Sequence, residues 1–208
     1  VGPLGSWLAA REPRWAYAAE PDERAWADGA RDVLLTTLRQ TAPDRARALL
    51  ESTWEEETWE DRERFIRILA HGLSDADEPL LETALHDRRK PVREAAAELL
   101  ARLPRSAFAA RAAERARELV RVEDGRLRVT LPDGPGRRAQ RLEELLAAAP
   151  LSTWDVAMAD LPVADDLGDA VHAGWAQAAL NQGDAEWGRA LGLLQLLPRE
   201  EAEAYAAA

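Results

Sequence analysis

The chain has 208 residues, no cysteine and a formal net charge of −11, with 47% of residues hydrophobic and 31% charged. These values exclude disulfides, thiolate metal sites and cysteine nucleophiles, and they argue against a duplex-binding face, which needs a basic stripe. Eight Trp stand against two Phe and two Tyr, and Val and Ile are sparse, so a helical protein is expected rather than a sheet.

Val1 to Tyr17 holds Trp7 and Trp15 among Gly and Pro. A short helix over Ser6–Arg11 is expected, with Trp7, Leu8 and Trp15 forming a lid on one end of a helical stack. Glu20 to Gln40 is a long helical pattern with Trp26, Ala30, Val33, Leu34, Thr37 and Leu38 on one face. Pro43 opens the next helix, which turns Ala46, Leu49, Leu50 and Trp54 inward. The acid-rich run Thr53–Asp61 reads as a turn and a helix start, where carboxylates suit the positive end of the dipole without any metal. Phe65, Ile66, Ile68, Leu69 and Leu73 carry that helix to a stop at Gly72-Leu73-Ser74.

Asp75 to Pro104 reads as two short helices joined by a tight turn. Asp77 is placed to cap the first, whose stripe is Leu80, Leu81, Ala84 and Leu85. Asp87-Arg88-Arg89-Lys90 breaks it, and Pro91 opens the second, with Val92, Ala95, Ala96, Leu99, Leu100 and Leu103 inward and Pro104 as its stop. Arg93 is positioned to reach back to Asp87. The spacing of Asp87, Val92-Arg93, Ala96 and Leu99-Leu100 resembles a HEAT repeat, in which the Asp and Arg form a ladder from repeat to repeat. Leu34–Glu51 aligns without gaps on Phe65–Glu82, an offset of about 31 residues, shorter than the usual HEAT or armadillo unit of roughly 40–47.

After a helix over Ser106–Val120, the stretch Leu119–Gly134 alternates apolar and polar residues around Asp124-Gly125, a two-residue hairpin signal. Val120 and Val122 are expected to face Leu127, Val129 and Leu131. Helices follow over Arg138–Ala149, with Leu142, Leu145 and Leu146 inward, and briefly from Pro150 to Asp155. Leu161–Asp166 reads as a link. A helix over Leu167–Gln182 stops at Gly183, and Asp184 caps a last helix carrying Trp187, Leu191, Leu194 and Leu197 and ending at Pro198. The expected fold is therefore all-α: an α-solenoid, a HEAT-like or armadillo-type superhelix of antiparallel helix pairs, with one small β-hairpin near 119–131. Its parts are a cap and repeats over 1–121, the hairpin over 119–133, and further repeats of the same solenoid over 135–208. The start at Val1 and the helix-like end EEAEAYAAA suggest a piece of a longer protein.

Chemistry is hard to find. There is no P-loop, no dinucleotide-binding glycine pattern and no nucleophile elbow. His71, His86 and His172 lack partners at metal-ligand spacing, and Asp75, Asp77 and Glu78 lack a calcium-loop frame. No catalytic residue, metal or cofactor is expected. Asp87 and Arg93 are expected to be the structural ladder. Arg88, Arg89 and Lys90, with Trp54 and Trp59, form the candidate interaction surface. No apolar run approaches the roughly 18–20 residues that span a bilayer, so no membrane contact and a cytoplasmic location are expected.

The wider resemblance is to DUF5691, a bacterial family of unknown function found in actinobacteria. It is carried by Trp7-Leu8-Ala9-Ala10, Leu49–Trp54, Gly72–Glu82, Asp87-Arg88-Arg89, Val92-Arg93 and Ala96–Pro104. The resemblance brings no catalytic residues. It implies an adaptor role beside SWIM zinc-finger proteins, MoxR-type ATPases and von Willebrand factor A proteins. The expected function is a non-catalytic scaffold for a protein partner. The alternative is a DNA-glycosylase-like protein with a concave Trp, Arg and Asp surface, against which the net charge of −11 speaks.

Overall fold

Prolines, glycines and small polar caps set many of the helix boundaries. The computed structural model describes Trp26 and residues 31–131, 137–164 and 166–193, and the chain divides into two compact units, residues 1–96 and 97–208. Trp7, Leu8, Trp15, Ala30, Leu194, Leu197 and Pro198 lie outside the described residues. Among those described, the structure is mostly helical with one two-stranded antiparallel sheet. No described helix is long and apolar enough to cross a membrane.

The first unit holds α1 (Arg31–Thr41), α2 (Pro43–Thr53), α3 (Trp59–Ile68) and α4 (Glu78–Ala84). Pro43 sits in the first turn of α2, where its missing N–H costs nothing. Thr58 caps α3 by accepting the Asp61 N–H at 3.2 Å. Leu34, Leu35 and Leu38 of α1 are buried, as are Phe65, Ile66 and Leu69. The expected stripe on α1 is out by one position. Val33 is 72% exposed, while Leu35 and the side chain of Arg39 take the inward face.

Asp77 does not cap α4 as expected. The chain reaches α4 through a 3₁₀ turn, Asp75–Asp77, so Asp77 is itself helical at φ −82°, ψ −13° and its side chain makes no capping bond to the α4 N–H groups. Ser74 is the cap of this turn, in a reciprocal capping box, and Asp77 Oδ2 accepts the Ser74 N–H at 3.0 Å. The carboxylate is otherwise spent on Arg39, which donates to Oδ1 at 2.9 Å and Oδ2 at 2.8 Å. Arg39 also donates to the carbonyls of His71, Leu69 and Gly72, and Arg47 adds a bond to Asp77 Oδ1 at 3.0 Å. The Arg39 and Asp77 side chains are fully buried. The loop from Leu69 to Asp77 is thus bolted to the end of α1.

Helix α5 (Lys90–Leu100) buries Val92, Ala95, Ala96, Leu99 and Leu100, as the pattern requires. It ends at Leu100 rather than at Pro104, because the chain tightens into turns before Ser106 caps α6 (Ala107–Leu119) through the Ala109 N–H.

In the second unit, Ala109, Ala112, Ala113 and Ala116 give α6 a smooth buried face. Strands β1 (Val120–Glu123) and β2 (Arg126–Val129) pair in the register Val120↔Val129 and Val122↔Leu127. Asp124 and Gly125 both take positive φ, at 51° and 71°, as a two-residue hairpin turn requires. Leu127 and Val129 join the core, whereas Val122, near the turn end of the hairpin, is 49% exposed. The link after Leu161 has a structural job: Leu127 bonds both ways with it, to Pro162 O and from Ala164 N–H.

Helices α7 (Arg138–Ala148) and α8 (Gly168–Gln182) are the most intimate pair. A Cβ at Gly174 would lie 2.7 Å from Leu146 Cβ and 2.9 Å from Glu143 O, so only glycine permits this approach. Gly183 ends α8 in the left-handed region, and Asp184 caps α9 (Ala185–Ala190) through the Glu186 and Trp187 N–H groups. Trp175 is fully buried, with Trp187 at 5.2 Å and Trp154 at 5.9 Å between ring centroids. The Gln182 side chain pairs like a peptide group, accepting from Leu151 N–H and donating to Ala149 O, both at 3.0 Å.

Candidate functional site

A cleft of about 850 Å³ opens in the first unit between the turn before α3 and the turn after α4. Trp54, Trp59, Arg62, Asp87, Arg88 and Arg89 lie on its walls. Four of the five residues singled out as a candidate surface therefore meet in one place. Lys90 does not line it; this lysine pairs with Glu94 one turn on.

Each wall is set by local chemistry. Trp54 follows α2 directly in a short 3₁₀ turn and is 5% exposed, so its ring is part of the core edge. Trp59 begins α3 and is half-buried. Two arginines stack on these rings: Arg62 lies 5.7 Å from the Trp54 centroid and Arg89 lies 5.7 Å from that of Trp59. Such a pair fixes an otherwise mobile cation over an aromatic face and contributes about 0.5–1 kcal/mol at an exposed site.

Asp87 and Arg93 do come together, though not carboxylate to guanidinium. Arg93 donates to the carbonyl oxygens of Asp87 at 2.9 Å and Arg88 at 3.0 Å. The Asp87 carboxylate accepts instead from Arg62 at 2.7 Å and from the Arg89 N–H at 2.8 Å. Arg62 therefore links α3 to the turn before α5. The short spacing of Asp87 and Arg93 pointed to each other; the partner 25 residues upstream had no local signal.

Behind the cleft, the Glu57 carboxylate is held by Arg31, which also donates to Asp61 at 3.0 Å. The buried charges of the walls are thus already committed. Glu55, Glu60 and Arg88 make no ion pair among the described residues, and Arg89 keeps its outer edge free. The hydroxyls are occupied: Thr58 donates to Asp61 and Thr83 donates to Pro79 O. His86 Nδ1 lies 2.9 Å from Glu82 O, and no carboxylate is bonded to its ring. Among the described residues of the cleft, no nucleophile–base–orienter set assembles. Among the described residues, no group of three His, Asp or Glu is arranged to hold a metal ion. What the cleft offers is the half-buried Trp59 with the exposed side chains of Arg88, Arg89, Glu55 and Glu60.

The strongest electrostatic feature of the unit lies apart from the cleft lining. Burial pushes the Asp77 carboxyl up, but the bonds from Arg39, the Ser74 N–H and Arg47 outweigh it and hold the group below the usual carboxylate range. Arg39 is the residue that the sequence pattern passed over; it sits at i+1 from Leu38 on a helix whose stripe was drawn one step away.

A family model described as a family of unknown function (DUF5691) matches the chain in two segments, residues 1–141 and 132–208. No curated protein and no solved structure matches it.

Proposed function

The chain belongs to the DUF5691 family, whose function is unknown, and from that premise we propose that it is a non-catalytic helical-repeat adaptor that binds a protein partner through the Trp59–Arg88–Arg89 face of its cleft. The observation that carries this reading is the division of charge there. Arg62, Asp87 and Glu57 are tied into the fold, while Arg88, the outer edge of Arg89 and half of Trp59 face outward. Trp and Arg are the side chains that most often dominate protein interfaces.

In this reading the helix pairs stack as HEAT-like repeats, consistent with burial at Leu34, Leu35, Leu38 and Leu50 and at their aligned counterparts Phe65, Ile66, Leu69 and Leu81. MoxR-type ATPase and von Willebrand factor A systems are the first partners to test, by analogy alone.

The test is quantitative capture from the native host by wild-type chain and by Arg88→Glu/Arg89→Glu. The proposal expects a stoichiometric protein retained by the first and lost by the second. Equal recovery by both, or none by the wild type under gentle conditions, sinks it. A labelled duplex at low salt, where phosphate contacts are strongest, discriminates the nucleic-acid reading: a shift that the same variant abolishes replaces the protein partner with a polyanion.

A further inference from the structure

The second unit carries a separate groove of about 540 Å³, lined by one face of α6 and one face of α7. Both walls present the same pattern, Arg-x-x-Glu-Leu: Arg115, Glu118 and Leu119 on α6, and Arg141, Glu144 and Leu145 on α7. Arg138, one turn before Arg141, adds a third guanidinium, and Leu131 extends the floor. Leu119, Leu131 and Leu145 are only partly covered and rest on the core of this unit. Leu145, expected inward from the sequence, is thus shared between core and groove.

The arginines have no structural employment. Arg115, Arg138 and Arg141 are exposed, and their side chains make no ion pair or hydrogen bond among the described residues. Glu144, three residues on from Arg141, accepts instead from Gln140 at 2.8 Å. Arg138 and Arg141 also stand in the first turns of α7, where the helix dipole disfavours cations, so helix stability does not explain them. A chain of net charge −11 therefore places three arginines, unpaired among the described residues, around an apolar floor.

We propose that this groove takes an acidic amphipathic helix of a partner protein, with its apolar side chains on the leucine floor and its carboxylates on Arg115, Arg138 and Arg141. The two walls are helices of 13 and 11 residues, about 16–20 Å long, which suits three turns of a docked helix. Glu118 and Glu144 favour this occupant over a nucleic acid, since phosphates along a backbone would meet them, whereas a peptide helix can place Lys or Arg opposite. The inference stands apart from the cleft in residues 1–96.

The test is fluorescence anisotropy of a labelled, stapled helical peptide with one glutamate face and one leucine face, titrated with the full chain. The expected result is saturable binding that weakens at least about tenfold for Arg115→Glu/Arg138→Glu/Arg141→Glu and for the milder triple Gln variant, and a lysine-faced control peptide that does not bind. Circular dichroism of both variants is expected to match wild type, because the three side chains make no ion pair or hydrogen bond among the described residues. Trp59→Ala is expected to leave the peptide affinity unchanged, which separates failure here from failure of the cleft reading. Absent binding by the wild type, equal binding by the variants, tighter binding of a labelled duplex, or a wild-type dimer that the triple variant dissolves would each overturn the proposal.

Discussion

The two units solve the same problem, holding short helices together, by different means. The first uses charge. Arg39, Asp77 and Glu57 are all buried there, and each is paired through long-range bonds that tie loops to helix ends. The second uses shape. Among its described residues Ser106 is the one buried polar side chain, and the core is Trp175, Trp187, leucines and alanines closed around Gly174. Ion pairs are directional and fail when one partner is removed. Close packing is indifferent to charge and fails when volume changes. Opposite kinds of substitution should therefore break the two halves.

The largest effect is expected at the buried pair. Asp77→Ala strands the Arg39 guanidinium in the core and should cost about 3–5 kcal/mol in denaturant unfolding. Arg39→Met/Asp77→Leu together should recover much of that loss, because no charge is left uncompensated. A double variant as unstable as the single one would contradict the account. The same pair sets an acid limit. The folded Asp77 carboxyl titrates below its unfolded value of about 3.9. Its contribution is therefore complete above that value and is lost as the pH falls through the lower, folded one. The urea midpoint followed down this window should show the loss in the wild type and not in Asp77→Asn.

Next in size is Gly174→Val. The added side chain meets Leu146 Cβ and the Glu143 backbone, neither of which can swing aside, so a loss of about 1–3 kcal/mol is expected. Near-ultraviolet circular dichroism from the Trp154–Trp175–Trp187 cluster should report it. The spectrum should be far less sensitive to Asp77→Ala, and equal sensitivity would erase the distinction between the units. The smallest effect belongs to Arg93→Ala, which frees the carbonyls of Asp87 and Arg88 and should lower stability by about 1 kcal/mol. No change in melting temperature would leave those two bonds without weight.

The shape-held unit was easier to read from the sequence than the charge-held one. Asp124-Gly125, Gly183 and Asp184 act through neighbours in the chain, and each does what its type requires at a turn or cap. The stripe Val92, Ala95, Ala96, Leu99 and Leu100 is likewise a local period. Ion pairs carry no such period. Arg39 finds Asp77 across 38 residues and Arg62 finds Asp87 across 25. In a chain rich in both charges, nothing local ranks those pairs above the rest. Hence Asp77 reads as a helix cap and Asp87 as the partner of Arg93, when both carboxylates are committed to arginines far upstream. The cleft itself was partly legible: Trp54, Trp59, Arg88 and Arg89 converge, while Lys90, one residue further round the start of α5, turns to Glu94.

The central claim is that the charges holding the first unit together are distinct from those that bind. The direct measurement pairs melting temperature with partner capture for two variants, Arg88→Glu/Arg89→Glu and Arg93→Ala. The account predicts that the first loses the partner at temperatures where it is still folded, its stability lowered by no more than the Arg89–Trp59 stack contributes, whereas the second melts lower and, below its transition, retains the partner. A double variant that loses both together, or one that keeps the partner, would contradict it.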